Sequence, residues 1–220
     1  MEDWEHWFER VWRYRDETLF PRIFGTRSEG GIFVLTFDLF KDRFGEASVD
    51  PRWLNHGVLI FPPRALARSW RFVTSGLSNA WEAERPEPKN WSGLGVEFIL
   101  ETTKNAEWAL SVVAKILAYQ LLLGTGRFGT PRVIEPYARI PLNGAIDGSE
   151  SILTHLIVCP SSAAAEELEL ESGKFTLLQL VGATDAEIQF ARAHGGEELL
   201  ALFKANGVYP TIDPGRASIV

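Results

Sequence analysis

Residues 72–81, FVTSGLSNAW, and residues 93–102, GLGVEFILET, decide how this chain folds. Between them runs a polar connector, residues 82–90, EAERPEPKN, with no apolar anchor except Ala83. In the second piece Val96, Phe98 and Leu100 alternate with Glu97, Ile99 and Glu101. A period of two predicts a strand with one apolar face and one largely polar face. The first piece leaves its strand through Ser75-Gly76-Leu77-Ser78-Asn79, a turn-rich exit. The two pieces read as neighbouring strands of one sheet, with an acidic patch on one side.

Working outward, residues 3–19 predict a helix. Trp4, Trp7, Phe8, Val11 and Trp12 recur at helical spacing, and Pro21 stops the helix or lies just beyond it. The Trp stripe either caps the protein's own sheet or docks a partner, including a second copy of the chain. After Gly30-Gly31, the alternation of Phe33, Leu35, Phe37 and Leu39 predicts a strand, and residues 42–56 read as irregular. Strands follow at Val58–Phe61 and Trp70–Leu77. Asn105 can cap a helix over residues 106–123 that is apolar around most of its circumference, and Gly124 ends it. A weaker strand is expected over Val133–Ile140 and a central one over Ile152–Val158. Glu166–Glu171 and Lys174–Val181 read as a hairpin around Ser172-Gly173. Thr184 with Glu187 three residues later forms a capping box for a helix to His194, and a second helix spans Glu197–Ala205. With no internal repeat and no linker, the reading is a single α+β domain over residues 1–220.

Composition narrows the function. The chain has 220 residues, 45% of them hydrophobic, enough for a well-buried core. Twenty-two basic residues against 29 acidic ones give a net charge of −7, the opposite of a nucleic-acid footprint. A single cysteine, Cys159, forms no internal disulfide and suits a reducing cytoplasm. The N-terminus lacks the basic and apolar regions of a signal peptide. The most apolar window, Trp108–Leu123, carries Lys115 and Gln120 and reads as a buried helix rather than a membrane span.

Candidate chemistry is sparse. Gly124 to Gly129 matches G-x-G-x-x-G, but it follows a helix and precedes Pro131 and a strand, the reverse of the dinucleotide-binding order, so it reads as a connector. The four histidines, His6, His56, His155 and His194, have no zinc-ligand spacing, and neither metal nor cofactor is expected. Ser75 and Ser78 lie near Gly76 without a nucleophile-elbow motif. Glu97 and Glu101 share a strand face, and Asp147 and Glu150 share a loop. Such carboxylates serve as a solvated face, as an acid/base pair, or as selectors of a basic extended peptide.

The segments FVTSGLSNAW (72–81), GLGVEFILET (93–102), PLNGAIDGSESILTHLIV (141–158), FTLLQLVGATDAEI (175–188), the ELLALF helix and the terminal TIDPGRAS (211–218) occur in one order. Together with the Trp108-containing helix, they make the chain resemble the suppressor-of-fused (SUFU) domain family from residue 58 onward, while residues 1–57 match loosely. The resemblance implies one mixed α/β domain, with a curved, largely antiparallel sheet wrapped by helices. It implies protein binding rather than catalysis. In animals the domain belongs to a cytoplasmic repressor that holds zinc-finger transcription factors through a peptide strand set between two domains. The second domain has no counterpart expected here, so that role is not carried over. Stand-alone bacterial members imply an immunity protein that neutralises a polymorphic toxin.

Residue by residue, the animal pattern has an aromatic at Phe72, an aspartate where this chain has Asn79, and the glutamate present as Glu97. Glu150-Ser151 and the pair Asp213 and Arg216 are shared, and the resemblance implies a structural Asp–Arg pairing that pins the tail. The expected partner surface comprises Phe72, Asn79, Trp81, Glu97 and Asp147, with Glu150, Asp213 and Arg216 structural. The expected partner is a protein or peptide, a toxin or a basic segment, with no nucleic acid and no membrane. The alternative is a small hydrolase using acidic residues or His155.

Overall fold

Strand β4 (Trp91–Thr102) sits at the centre of a nine-stranded mixed sheet in a computed structural model that describes residues 4–65, 67–81, 89–164 and 166–220. Residues 82–88 of the polar connector lie outside the described residues. On one side β4 pairs antiparallel with β3 (Trp70–Ser75), which continues through β2 (Gly57–Phe61) to the edge strand β1 (Ile32–Val34). On the other side it pairs in parallel with β8 (Gly173–Ala183), which leads through β6 (His155–Pro160) to β5 (Arg139–Pro141). Strand β7 (Leu168–Leu170) adds to β8 through the expected hairpin, and the short β9 (Thr211–Ile212) adds in parallel to the end of β4.

Both faces of the sheet are covered. Val96, Phe98 and Leu100 join the core under α4 (Glu107–Gly124), together with Val58, Phe72, Leu156 and Leu180. The opposite face is roofed in two halves. The N-terminal helices pack Trp7, Phe8, Val11, Phe20 and Phe24 against Leu59, Val73, Ile99 and Leu177. Beyond them α5 (Asp185–His194) and α6 (Gly196–Ala205) cover Ile157, Cys159, Val181 and Ala183. The Trp stripe therefore faces the protein's own sheet.

Several local expectations change. Helix α1 (Trp4–Arg13) does not stop before Pro21. It continues through a π-helical segment, Tyr14–Leu19, into α2 (Phe20–Phe24). Pro21 falls in the first turn of α2, where its missing N–H is tolerated. The strand expected across Phe33–Leu39 ends at Val34. Thr36 caps helix α3 (Phe37–Phe44) by accepting from the Leu39 amide, and Gly45 closes it in the left-handed conformation. Phe37, Phe40 and Phe44 also fit a helical period, and the cap decides between the two.

Helix α4 begins after Ala106 with no side-chain cap from Asn105. Of the Val133–Ile140 strand only Arg139 onward forms a β-ladder, with Tyr137 and Ala138 each making one backbone bond to Val158. Upstream, Gln120 on α4 takes the Arg132 carbonyl and the Ile134 amide, and Tyr137 adopts a φ of 67°, so no ladder forms. Strand β6 starts at His155 rather than Ile152, which stays exposed. The capping box at Thr184 and Glu187 is complete, with bonds of 2.9 and 3.2 Å.

The Asp213–Arg216 pairing does not form. Arg216 instead clasps Glu187 at 2.5 and 2.6 Å and donates to the Gly182 carbonyl at 2.8 Å. Asp213 accepts from the Gly215 amide within its own turn. Glu187 is fully buried, so it offers the stronger attraction for the guanidinium. Glu150 is exposed, and the anchoring role at that loop passes to Ser151, whose hydroxyl donates to the Pro214 carbonyl at 2.7 Å.

Candidate partner-binding cleft

The alternation along β4 holds, but its polar face is not solvated. Glu97 is 0% exposed, and five donor atoms converge on its carboxylate. Thr74 Oγ1 donates at 2.5 Å, the Gly76 and Ser78 amides at 3.0 and 2.9 Å, and Ser78 Oγ at 2.7 Å. Arg15 Nη1 stands 3.4 Å away. Burial pushes the Glu97 carboxyl upward, and Arg15, Thr74 and Ser78 pull it back. Arg15 is itself buried and raised above its ordinary value, because Asp16 and Glu97 outweigh the desolvation of its charge.

Arg15 spreads its remaining donors over the strand exit. They reach Ser78 Oγ at 2.8 Å, Asn79 Oδ1 at 2.7 Å, Ser75 Oγ at 2.7 Å and Asp16 Oδ1 at 2.8 Å. Ser75 in turn donates to Asp16 Oδ2 at 2.7 Å. The network holds residues 75–79 in one shape. Gly76 takes a φ of 132°, and a Cβ there would lie 2.2 Å from the His56 ring. The imidazole thus packs directly on the backbone of the turn, with its Nδ1 3.1 Å from the Arg52 carbonyl. Burial lowers His56 to about 4, so the ring is neutral at neutral pH.

This rigid turn forms one wall of a cleft of about 910 Å³ at one end of the sheet. Its lining includes Asn79, Trp81, His56, Trp53, Trp91 and Leu94. Trp91 is 56% exposed. Trp81 is held by Phe8 of α1, with ring centroids 4.2 Å apart, and the Arg52 guanidinium lies over it at 5.8 Å. The Trp81 indole Nε1 is buried and has no acceptor among the described residues. Arg52 is itself locked to Asp50 by contacts of 2.6 to 3.1 Å, so the charges in the lining are balanced.

Of the five expected surface residues, Asn79 and Trp81 line this cleft. Phe72 does not: it is fully buried in the core beneath α4. Glu97 does not face a partner either, since it supports the cleft wall from inside. Asp147 accepts from Ser149 and Ser151 in a loop next to the other end of β8. At about 3.3 Å per residue along β8, that loop stands roughly 30 Å away from the cleft. Its carboxyl is held below its ordinary value by the Ser149 amide.

His155 contacts Asp185 at 3.1 Å and Thr154 at 3.0 Å, but it registers with Ala183 of β8, whereas Glu97 registers with Leu177. The two are therefore roughly 20 Å apart along the strand. Sequence reasoning missed Arg15. The signal was present, since Arg15 continues the buried series Phe8, Val11 and Leu19 at helical spacing, and a charge on an apolar stripe demands a buried partner.

The SUFU (suppressor of fused) protein family matches residues 52–217 of this chain. No curated protein matches it. Among solved structures, the chain superposes on the Sufu–Fu complex structure with a TM-score of 0.65 and 17% identity, covering 97% of this chain and 92% of that one. A SUFU (suppressor of fused protein) homolog from Neisseria gonorrhoeae FA 1090 gives a TM-score of 0.61 at 15% identity, with 98% of each chain covered. Drosophila Suppressor of Fused gives 0.58 at 19% identity over 74% of this chain, which spans 42% of the Drosophila chain. The family match extends across three-quarters of the sequence. The chain belongs to the suppressor of fused protein family.

Proposed function

We propose that this chain is a non-enzymatic, cytoplasmic protein-binding domain whose partner docks a peptide segment in the cleft beside Asn79 and Trp81. The carrying observation is the buried Trp81 indole N–H without an acceptor among the described residues, set in an aromatic cleft whose rim Trp91 is exposed. A peptide carbonyl supplies the missing acceptor, and Trp side chains are the usual anchors of protein interfaces. Membership in a family of protein-binding domains supports the reading. The net charge of −7 favours encounter with a basic partner. The finer form of the proposal is an immunity protein that neutralises a toxin.

The hydrolase alternative draws less support. The Glu97 carboxylate is fully buried and held by four hydrogen bonds, and His155 does not converge with it. The test is affinity capture from the native host, followed by binding of the purified partner to wild type, Trp91→Ala and Asp147→Ala. Loss of about 30-fold in affinity for Trp91→Ala, with Asp147→Ala unchanged, is the expected result. Equal binding by all three proteins would place the partner elsewhere, and turnover of a substrate without any partner would defeat the binding reading. If the partner is a toxin, wild type but not Trp91→Ala abolishes its activity.

A further inference from the structure

A second cavity, of about 540 Å³, opens at the other end of the sheet from the partner cleft. It lies where β2 turns into β3 and where β4 ends, between α2 and the segment leading into β9. Its charged lining is Arg64, Arg68, Arg71 and Glu101. Three guanidiniums face one carboxylate, an excess of two positive charges in a protein whose net charge is −7.

The arginines are not equally occupied. Arg71 is 6% exposed and stands across the β3–β4 ladder from Glu101, with its Nε 3.5 Å from that carboxylate. Its Nη1 is buried and has no acceptor among the described residues. A charged donor shielded from water and left without a partner is rare, because such groups are costly to desolvate. Glu101 does not fill the vacancy, being engaged by the Ser69 hydroxyl and Arg71 Nε. Arg64 donates to the Ile23 carbonyl at 2.6 Å, and both Arg64 and Arg68 are exposed. Burial lowers the pKa of Arg71, Glu101 opposes that effect, and the neighbouring Arg64 adds to it. An anion set among the three arginines would relieve both the burial cost and the repulsion. Thr103 and Ser162 line the same space and supply hydroxyl donors.

We propose that this cavity is an oxyanion site, in which Arg71, Arg64 and Arg68 hold a tetrahedral dianion of the phosphate type. Planar guanidiniums match such an anion with paired donors, and the excess of two positive charges matches a dianion better than a carboxylate monoanion. The site is separate from the partner cleft and does not depend on it.

The test is titration of the full chain with inorganic phosphate, phenyl phosphate and acetate. Calorimetry and thermal unfolding are recorded at constant ionic strength set with chloride. Saturable binding of inorganic phosphate or phenyl phosphate is expected, with acetate at least tenfold weaker. Tighter binding of phenyl phosphate identifies the dianion as a group carried on a larger molecule, and tighter binding of inorganic phosphate identifies a free anion. Arg68→Ala, an exposed position, should keep the wild-type unfolding temperature without ligand and weaken binding at least tenfold. Arg71→Met should abolish binding, and if it fails to fold, Arg68→Ala and Arg64→Ala decide. The proposal is overturned if phosphate acts no differently from chloride, or if Arg68→Ala and Arg64→Ala both bind as wild type does.

Discussion

Arg15, in the π-helical turn that follows the first helix, places its Nη1 3.4 Å from the carboxylate of Glu97 on the central strand, and neither side chain reaches solvent. The contact ties the N-terminal roof to the strand exit that walls the partner cleft. The pair is supported on both sides, because Asp16 and the hydroxyls of Ser75 and Ser78 take up the remaining Arg15 donors. Arg15→Met strands the buried Glu97 and Asp16 carboxylates and is expected to cost about 3–5 kcal/mol in urea unfolding. Glu97→Gln leaves Arg15 paired with Asp16 at 2.8 Å and should cost less, about 1–3 kcal/mol. The double variant should cost less than the sum of the two, by about 1–3 kcal/mol. Strict additivity would show that the two charges do not sense one another.

Gly76 has no room for a side chain. Its φ of 132° opposes Ala, and so does the His56 ring, which a methyl group on this Cα would approach to 2.2 Å. Gly76→Ala is expected to lose about 2–5 kcal/mol, combining backbone strain with overpacking. Gly144→Ala, where no atom lies within 4 Å, is the control and should stay within about 0.5 kcal/mol of wild type. Equal stability of the two variants would mean that the turn relaxes freely.

The pH dependence of stability follows from His56. Its folded pKa is lowered to about 4 from an ordinary 6.5, chiefly by burial. Between those values the unfolded chain takes up a proton that the folded chain refuses. Stability contributed by the neutral ring is therefore full above pH 6.5 and is lost as pH falls toward 4, with a slope of up to about 1.4 kcal/mol per pH unit. Urea unfolding from pH 7 to pH 4 should show this limb, and His56→Gln should flatten it. An unchanged slope in His56→Gln would assign the limb to other groups.

The tail provides a contrast between two neighbouring charges. Arg216 holds the buried Glu187 with two bonds, and the Ile219 amide donates to the same carboxylate at 3.1 Å. Arg216→Ala should cost about 3–5 kcal/mol, because it strands Glu187. Asp213→Ala removes a turn contact to Gly215 and should cost about 1 kcal/mol or less. If the two variants were equally destabilised, the Asp213–Arg216 pairing expected from sequence would regain support.

The sequence by itself determined much of the framework. The alternation of Val96 to Glu101, the hairpin before Lys174, the capping box at Thr184 and the apolar circumference of the Glu107–Gly124 helix are all local signals. Each depends on residues close in the chain, so each is legible without the fold. Tertiary structure alone decided what the polar face of β4 meets. Alternation shows that Glu97 and Glu101 point together, but not that a helix more than 80 residues upstream covers one of them with a guanidinium. Nor does it show that Arg71 stands opposite the other. A carboxylate in a strand has the same pattern whether water or an arginine neutralises it. The choice rests on desolvation and pairing between distant segments, and for Glu97 it turns an expected binding charge into the buried support of the cleft.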